Sequence, residues 1–365
     1  MPRAERPGSA EECAAILRAC ADAGQTVRVR GGGTKDGIGT RRATDVVLET
    51  AGLGGIIDHV PEDLTVTVGA GTSIESLRDA LAAHGQFFPL DAPHVARGAT
   101  VGGVIAANSA GFGRYRYGGV RDLLLGLRAA LVDGTVARSG GRVVKNVAGY
   151  DLNKLYTGSL GTLGVITEAT FKILPVPPVA RATSATFAKA TDAFGAAAAI
   201  VRTSLRPIAL VVERTSDRRW RLIVGAAGEQ APVDRAIAET ARAATARGGT
   251  TEPVADLSAT LGALREIVDD ATDGAVIRVA LPLSTQTAFA EAAIGADRTA
   301  RLVADAASGT AYVHLRGDEP ACAGPPTRSL PTRGCSAAVA ASSAPSRGSR
   351  PPTDQTRPVR SSCGA

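Results

Sequence analysis

Residue types that build metal and disulfide sites are scarce in this chain of 365 residues. It has five cysteines and four histidines, and no two cysteines have the C-x-x-C spacing of a redox or metal motif. Cys13 and Cys20 lie seven residues apart on one face of a predicted helix, where they fit small buried residues. The sequence therefore argues against a disulfide framework, a zinc site and an iron–sulfur cluster, and we expect no metal site in this chain.

Long apolar runs are also lacking. No stretch of about 18 uninterrupted apolar residues occurs, so no membrane-spanning helix is expected. Glu5, Glu11 and Glu12 interrupt the N-terminal segment, which argues against a secretory signal. We therefore expect a cytoplasmic protein that could attach to the inner face of a membrane only through partner subunits.

Aromatic residues make up 4% of the chain, and its basic charge is confined to one end. The formal net charge is +6, but residues 321–365 alone contain six arginines and one aspartate, so the rest of the chain is near neutral. Nucleic-acid binding usually needs a basic stripe interleaved with aromatic residues, and none occurs here. We therefore expect no nucleic-acid partner.

Glycine, in contrast, is abundant, with 42 residues, and three of these are consecutive. Gly31, Gly32 and Gly33 stand between two predicted strands, at residues 26–30 and 45–49. Without side chains, the peptide N–H groups of such a turn can converge on an anion such as a pyrophosphate. Arg30 and Lys35 bracket the turn with positive charge. A glycine-rich hairpin without any ligand fits these six residues equally well.

Three further segments have the character of backbone that contacts a ligand. They lie at residues 98–103, 107–111 and 158–166, and Asp91 precedes the first of them. Each offers unhindered N–H and C=O groups, with only Thr, Asn or Ser to add side-chain hydrogen bonds. Tight packing would explain any one of them, but all of them in this order indicate a long groove for a large polar cofactor.

The periodicity of apolar residues predicts alternating helices and strands. Ser9 and Glu12 form a capping box for a helix that continues to Gly24, and Thr72 opens a second helix after a strand at residues 64–68. Residues 87–113 read as irregular. Beyond residue 178 we expect a small sheet with its helices on one side. Residues 319–365 are rich in Pro, Ser, Arg and Ala, and we expect them to be disordered, or translated in a shifted reading frame.

Together, these segments resemble the FAD-binding fold of the vanillyl-alcohol oxidase and p-cresol methylhydroxylase superfamily. Within it, the run GRVVKNVAGYDL at residues 141–152 and GTLGVITEA at 161–169 are similar to the FAD-binding subunits of bacterial glycolate oxidases. The resemblance implies an α+β fold in three parts. These are a two-part FAD-binding domain of the p-cresol methylhydroxylase type over residues 1–178, a smaller α+β cap domain over 179–318, and the tail 319–365.

The resemblance also implies FAD as the cofactor and main-chain groups as its principal ligands. Some relatives tether FAD to a histidine in the glycine loop, and here Thr34 occupies that place, so we expect a non-covalent cofactor. The cofactor-binding residues implied are Arg30, Gly31, Gly32, Gly33, Thr34, Lys35, Asp91, Gly98, Ala99, Thr100, Gly102, Gly103, Ala107, Asn108, Ser109, Ala110, Leu160, Gly161, Thr162, Leu163, Gly164, Val165 and Ile166.

No residue stands out as the catalytic one. Relatives that oxidise 2-hydroxy acids directly carry a histidine-rich motif in the C-terminal half, whereas the nearest segment here has a single histidine, His314. A base that reaches the substrate hydroxyl and a cation that holds its carboxylate are the groups such a reaction needs. The candidates are His94, Arg116 and His314, and a buried structural histidine is the simpler interpretation of His314.

The resemblance implies a subunit of a glycolate oxidase complex, acting on a small 2-hydroxy acid. Its partners would be a catalytic flavin subunit and an iron–sulfur subunit, and glycolate would be oxidised to glyoxylate. Two alternatives stay open. FAD could be structural in a non-catalytic assembly subunit, or the chain could be a stand-alone FAD-dependent D-2-hydroxyacid dehydrogenase.

Overall fold

Helices and strands alternate along the chain in a computed structural model that describes residues 2–38, 43–141, 151–266 and 274–316. The strands are β1 (Arg3–Glu5), β2 (Val27–Arg30), β3 (Val46–Glu49), β4 (Ile56–Val60), β5 (Thr65–Gly69), β6 (Gln86–Phe87), β7 (Leu124–Ala130), β8 (Val136–Gly140), β9 (Val165–Lys172), β10 (Leu174–Pro175), β11 (Val179–Phe187), β12 (Ala209–Arg214), β13 (Trp220–Gly228), β14 (Thr250–Val254), β15 (Gly274–Ala280), β16 (Arg301–Asp305) and β17 (Thr310–Arg316).

The helices are α1 (Ala10–Asp22), α2 (Ile74–Ala82), α3 (Val101–Ala106), α4 (Arg114–Tyr117), α5 (Val120–Leu123), α6 (Leu152–Tyr156), α7 (Ala190–Val201), α8 (Gln230–Thr245), α9 (Leu257–Glu266) and α10 (Gln286–Ala296). Short 3-10 turns lie at Thr50–Leu53, Val95–Arg97 and Leu283–Thr285. The expected α+β class is confirmed. Most of the 141–152 run and the whole tail 319–365 lie outside the described residues.

Besides the two-stranded antiparallel pair of β6 with β10, two sheets make up the N-terminal part, residues 2–175. The smaller is parallel, in the order β1-β3-β2, and the larger is antiparallel, in the order β4-β5-β9-β7-β8. Helix α1 begins as predicted, because the N–H of Glu12 donates to the Ser9 hydroxyl at 3.0 Å. Its buried cysteines, at 0% and 1% exposure, pack as small apolar residues, as we predicted.

One core lies between the five-stranded sheet and helices α2 and α3. Leu77 and Leu81 on α2 pack there with Phe171 of β9 and Ile105 of α3. Because these side chains are fully buried, they hold the small-residue segments around α3 against the sheet. Two predictions needed correction here. Helix α2 is capped by Ser73 rather than Thr72, and the segment 87–113, expected to be irregular, contains α3.

One antiparallel sheet with helices packed against it forms the C-terminal part, residues 179–316. Its seven-stranded sheet has the order β14-β11-β13-β12-β16-β17-β15. Alternate residues of β12 face opposite sides, so Leu210 and Val212 join the core under α7, α8 and α10, whereas Val211 points the other way.

The helices of this layer do not all lie on one side, which corrects the sequence prediction. Leu261 and Leu264 of α9 pack with Val211 and Ile223 on the face turned toward Phe112 of the N-terminal part. Helix α9 is therefore sandwiched between the two parts of the chain. The proposed boundary at residue 178 stays a prediction.

Candidate active site

The glycine loop and the segment 98–100 lie in direct backbone contact. A Cβ atom at Gly31 would come within 2.3 Å of the Thr100 hydroxyl, and one at Gly32 within 1.8 Å of the Gly98 carbonyl oxygen. Gly33 has φ +70°, a conformation that L side chains rarely adopt. No side chain fits at these positions, so we call the two contacting loops, residues 30–35 and 98–100, the glycine cradle.

The other two predicted segments meet at the C-terminal end of α3. The N–H of Gly158 donates to the carbonyl of Ile105 at 3.0 Å, and the N–H of Leu160 donates to that of Ala106 at 2.9 Å. On its other side this segment reaches β2, because a Cβ at Gly161 would lie 3.5 Å from the Cβ of Val29. Four stretches that are distant in sequence therefore converge on one region of the structure.

A cavity of about 450 Å³ opens where these stretches face the C-terminal sheet. We call it the central cavity. Six of the predicted cofactor residues line it, namely Thr34, Lys35, Ala107, Ser109, Ala110 and Leu160. The remaining lining residues are Gly37, Ile38, Pro93, Gly158, Val276, Arg278 and Tyr312.

Arg278 and Tyr312 are site residues that sequence reasoning missed. They pair in register across β15 and β17, and both line the central cavity. Arg278 is exposed, while Tyr312 is buried. The sequence could have pointed to Tyr312 alone, since it lies two residues before the candidate His314 on a predicted strand. Strand pairing was needed to bring an arginine from 34 positions earlier beside it.

Several of the predicted cofactor residues do not line the central cavity, and some have side chains engaged elsewhere. The Arg30 guanidinium pairs with Asp36 in the same loop at 3.1 Å, so its charge is partly neutralised. The side chains of Val165 and Ile166 are buried in the core, so only their main-chain groups are available to a ligand. Whether these residues touch the cofactor stays a prediction.

Asp91 and His94 join the N-terminal part to helix α9. The Asp91 carboxylate forms an ion pair with Arg265, which is 8% exposed, and it also accepts from the N–H of Phe112 at 3.2 Å. His94 is fully buried and holds Glu266 twice, through its main-chain N–H at 3.0 Å and its Nδ1 at 2.6 Å. Both predicted residues thus have protein partners between the two parts of the chain.

The other two catalytic candidates lie outside the lining of the central cavity, as the described residues define it. Arg116 is exposed on α4, whose Tyr117 packs edge-on against Phe87 at 5.5 Å between ring centroids. Burial raises the pKa of Tyr117, so its hydroxyl stays protonated and neutral. His314 is 4% exposed and lies on the same strand face as Tyr312, in register with Val276.

The described part of the chain has neither a candidate membrane span nor a candidate metal cluster. None of its helices combines the length and apolar character that crossing a bilayer demands. Nor do its His, Cys, Asp and Glu side chains gather in groups of three or more that could hold a metal ion.

The fold that holds the glycine cradle beside the central cavity is also found in solved structures of other proteins. The solved structure of alkyldihydroxyacetonephosphate synthase superposes with a TM-score of 0.70 at 17% identity, covering 85% of this chain and 66% of that one. The structure of p-cresol methylhydroxylase with substrate bound gives a TM-score of 0.68 at 17% identity, and the match covers 86% of this chain and 74% of that one. The class is thus the p-cresol methylhydroxylase-type FAD-binding fold.

Sequence comparison gives the narrower assignment. Residues 3–140 match the family described as FAD binding domain, so this part of the chain is an FAD-binding domain. Glycolate oxidase subunit GlcE of Escherichia coli is 41% identical over 149 residues, which is 41% of this chain and 42% of that protein. D-lactate dehydrogenase of Archaeoglobus fulgidus is 36% identical over 227 residues, which is 59% of this chain and 50% of that protein. The resemblance found in the sequence is confirmed, and the chain spans about half the length or less of these relatives.

Proposed function

We propose that this chain is an FAD-dependent oxidoreductase of 2-hydroxy acids that acts as the FAD-binding subunit of a glycolate oxidase complex. The observation that carries the proposal is the central cavity, where the small-residue segments face the side chains of Arg278 and Tyr312. A cofactor cradle on one wall and a cation on the other would supply two of the parts that oxidation of a small hydroxy acid needs, a seat for the electron acceptor and a partner for the carboxylate.

The glycine cradle fits the pyrophosphate of FAD. At Gly31 and Gly32 even a methyl group would collide with the facing loop, so these positions offer a ligand main-chain groups alone. Residues 30–35 would hold the pyrophosphate, 98–103 and 107–110 the flavin and its ribityl chain, and 160–166 the adenosine end. When bound, FAD supplies the acceptor for the two electrons that leave the substrate.

Arg278 would bind the substrate carboxylate. A guanidinium presents N–H donors in a fork that matches the two oxygens of a carboxylate, and this one lies exposed on the cavity wall. The adjacent Tyr312 would orient the substrate through a hydrogen bond from its hydroxyl. Together they would hold the acid in one orientation against the opposite wall, where positioning of this kind accelerates reaction.

The activities for which the relatives are named support the substrate class and the complex. One is a glycolate oxidase subunit, and others are D-lactate and D-2-hydroxyglutarate dehydrogenases. A second protein named as a glycolate oxidase subunit, GlcD of Bacillus subtilis, is 37% identical over 172 residues. We therefore propose a catalytic flavin subunit and an iron–sulfur subunit as partners, through which the chain would associate with a membrane.

Anaerobic titration of the FAD-loaded protein tests the proposal. In the presence of partner subunits, glycolate should bleach the flavin absorbance near 450 nm. Arg278→Gln should raise the glycolate concentration for half-bleaching about tenfold or more, because a charge-assisted pair with the carboxylate is lost. Tyr312→Phe should give a smaller rise, and Arg206→Gln, an exposed arginine elsewhere on the C-terminal part, should change nothing.

The same titration separates the alternatives. Bleaching of the isolated chain by D-lactate would establish a stand-alone D-2-hydroxyacid dehydrogenase. A bound flavin that no 2-hydroxy acid reduces, with or without partners, would refute a catalytic role and leave the assembly subunit.

A further inference from the structure

A second cavity, of about 670 Å³, lies at the end of the C-terminal sheet where β12 turns into β13 and where β16 begins. We call it the arginine cavity, because five arginines line it, namely Arg214, Arg218, Arg221, Arg298 and Arg301. The other lining residues are Glu213, Thr215, Ser216, Thr299, Ala300, Leu302 and Val303. It belongs to none of the segments assigned to the cofactor.

The positive charge of this cavity is mostly uncompensated. Glu213 is the one carboxylate on its wall, and Arg221 donates to it at 2.6 Å, so that pair is neutral. Within the described ranges, no carboxylate lies in ion-pair contact with Arg218, Arg298 or Arg301, all of which are exposed. Like charges held close together repel one another, and an anion seated among them removes that repulsion.

The backbone that carries these arginines is held in place by hydrogen bonds. The Arg214 guanidinium donates to the main-chain carbonyls of Arg298 at 2.7 Å and Ala300 at 3.4 Å, which ties the β12 end to the segment before β16. The β12–β13 turn is closed by the N–H and hydroxyl of Thr215, which donate to the Arg219 carbonyl at 3.0 and 2.9 Å. The charges are therefore presented from a fixed framework.

A further cavity of about 690 Å³ adjoins the arginine cavity. Arg214, Arg218 and Arg298 line both, and the far wall of the second one includes Trp220 and Ile294. Burial and the neighbouring charge of Arg218 lower the pKa of Arg214, which lies between the two cavities. The two spaces together form a groove that is longer than a small anion needs, with arginines in the middle and, at one end, Trp220 and Ile294 beside the charged Lys189 and Glu291.

We propose that this groove binds an acidic segment of a partner protein, with Asp or Glu carboxylates on the arginines of the shared wall. Arginine forks pair with carboxylates two N–H groups at a time, and arginine is enriched in protein interfaces. The proposal stands apart from the chemistry at the central cavity, since it uses none of the residues assigned there.

The position of the groove links a bound partner to the central cavity. Arg301 of the arginine cavity and Val276 of the central cavity both pair in register with His314, from its two sides. Adjacent strands lie about 4.8 Å apart, so the main chains of Arg301 and Val276 lie roughly 10 Å apart across the sheet. A partner seated in the groove would therefore lie next to the proposed site of oxidation.

Binding of a fluorescein-labelled hexaglutamate peptide to the full-length protein, followed by fluorescence anisotropy at about 20 mM salt, tests this proposal. The test variant combines Arg218→Gln, Arg298→Gln and Arg301→Gln. Its matched control combines Arg202→Gln, Arg206→Gln and Arg242→Gln, three exposed arginines on the same part of the chain that remove the same charge.

We expect the first triple variant to weaken peptide binding about tenfold or more and the control about twofold or less, with FAD content unchanged in both. Raising the salt concentration should abolish the difference between them. Equal weakening by the two variants, or no binding of the peptide to the unaltered protein, would overturn the proposal. So would tighter binding of citrate than of the peptide at the same arginines, since that result would indicate a site for a small anion.

Discussion

The glycine cradle provides the sharpest test of the cofactor site, through the substitution Gly32→Ala. The added Cβ would lie 1.8 Å from the Gly98 carbonyl oxygen, whereas ordinary contact begins near 3.4 Å. The two loops must therefore separate by about 1.6 Å, the difference of these distances, or the new methyl group cannot be accommodated. The obstacle is backbone rather than a flexible side chain, so no rotamer change relieves it.

Overpacking of this kind costs about 1–3 kcal/mol. If the cost falls on the conformation that binds FAD, affinity should drop about 5- to 150-fold, because each 1.4 kcal/mol is a factor of about ten. Fluorescence quenching of FAD titrated with apoprotein measures the dissociation constant. The melting temperature of the apoprotein reports separately whether the substitution destabilises the fold.

Gly295→Ala is the control, since Gly295 lies on α10, outside the segments assigned to the cofactor, and a Cβ there meets nothing within 4 Å. It should leave FAD affinity within about twofold of the original. Unchanged affinity in Gly32→Ala, or an equal loss in both variants, would refute the assignment of residues 30–35 and 98–100 as the cradle of the pyrophosphate.

Three other predictions concern stability and covalent chemistry. Arg265→Gln should lower the free energy of unfolding, measured by urea denaturation, by about 3 kcal/mol, because it leaves the Asp91 carboxylate without its buried partner. The control Arg242→Gln should change that free energy by about 0.5 kcal/mol or less. Burial raises the pKa of Cys13 to about 12, so iodoacetamide at pH 8 should label it only after unfolding, and rapid labelling of the native protein would contradict this. Because Thr34 stands where a tethering histidine would, acid denaturation should release all FAD into solution, and flavin that remains on the polypeptide would contradict a non-covalent cofactor.

Local rules made much of the N-terminal part predictable. The start of α1 follows from the side chain of Ser9, and a Gly-rich turn between two short strands follows from residues 26–49. Helix α3 escaped prediction because Gly102 and Gly103 lower helix propensity; in the structure the Thr100 side chain caps its start. Strand β11 escaped because alanine has little preference for strands, and its place comes from pairing with β13 along nine residues.

The sequence by itself determined the helix starts and the segments of small residues, because glycine content, capping residues and periodicity act over a few neighbouring positions. The fold class and FAD as the cofactor came from the resemblance of those segments to a known family. Only the tertiary structure decided that Asp91 and His94 bind helix α9, and that Arg278 reaches the cavity beside Tyr312. These contacts join residues far apart in the chain, and strand register and side-chain burial, which no local pattern encodes, determine which of them meet.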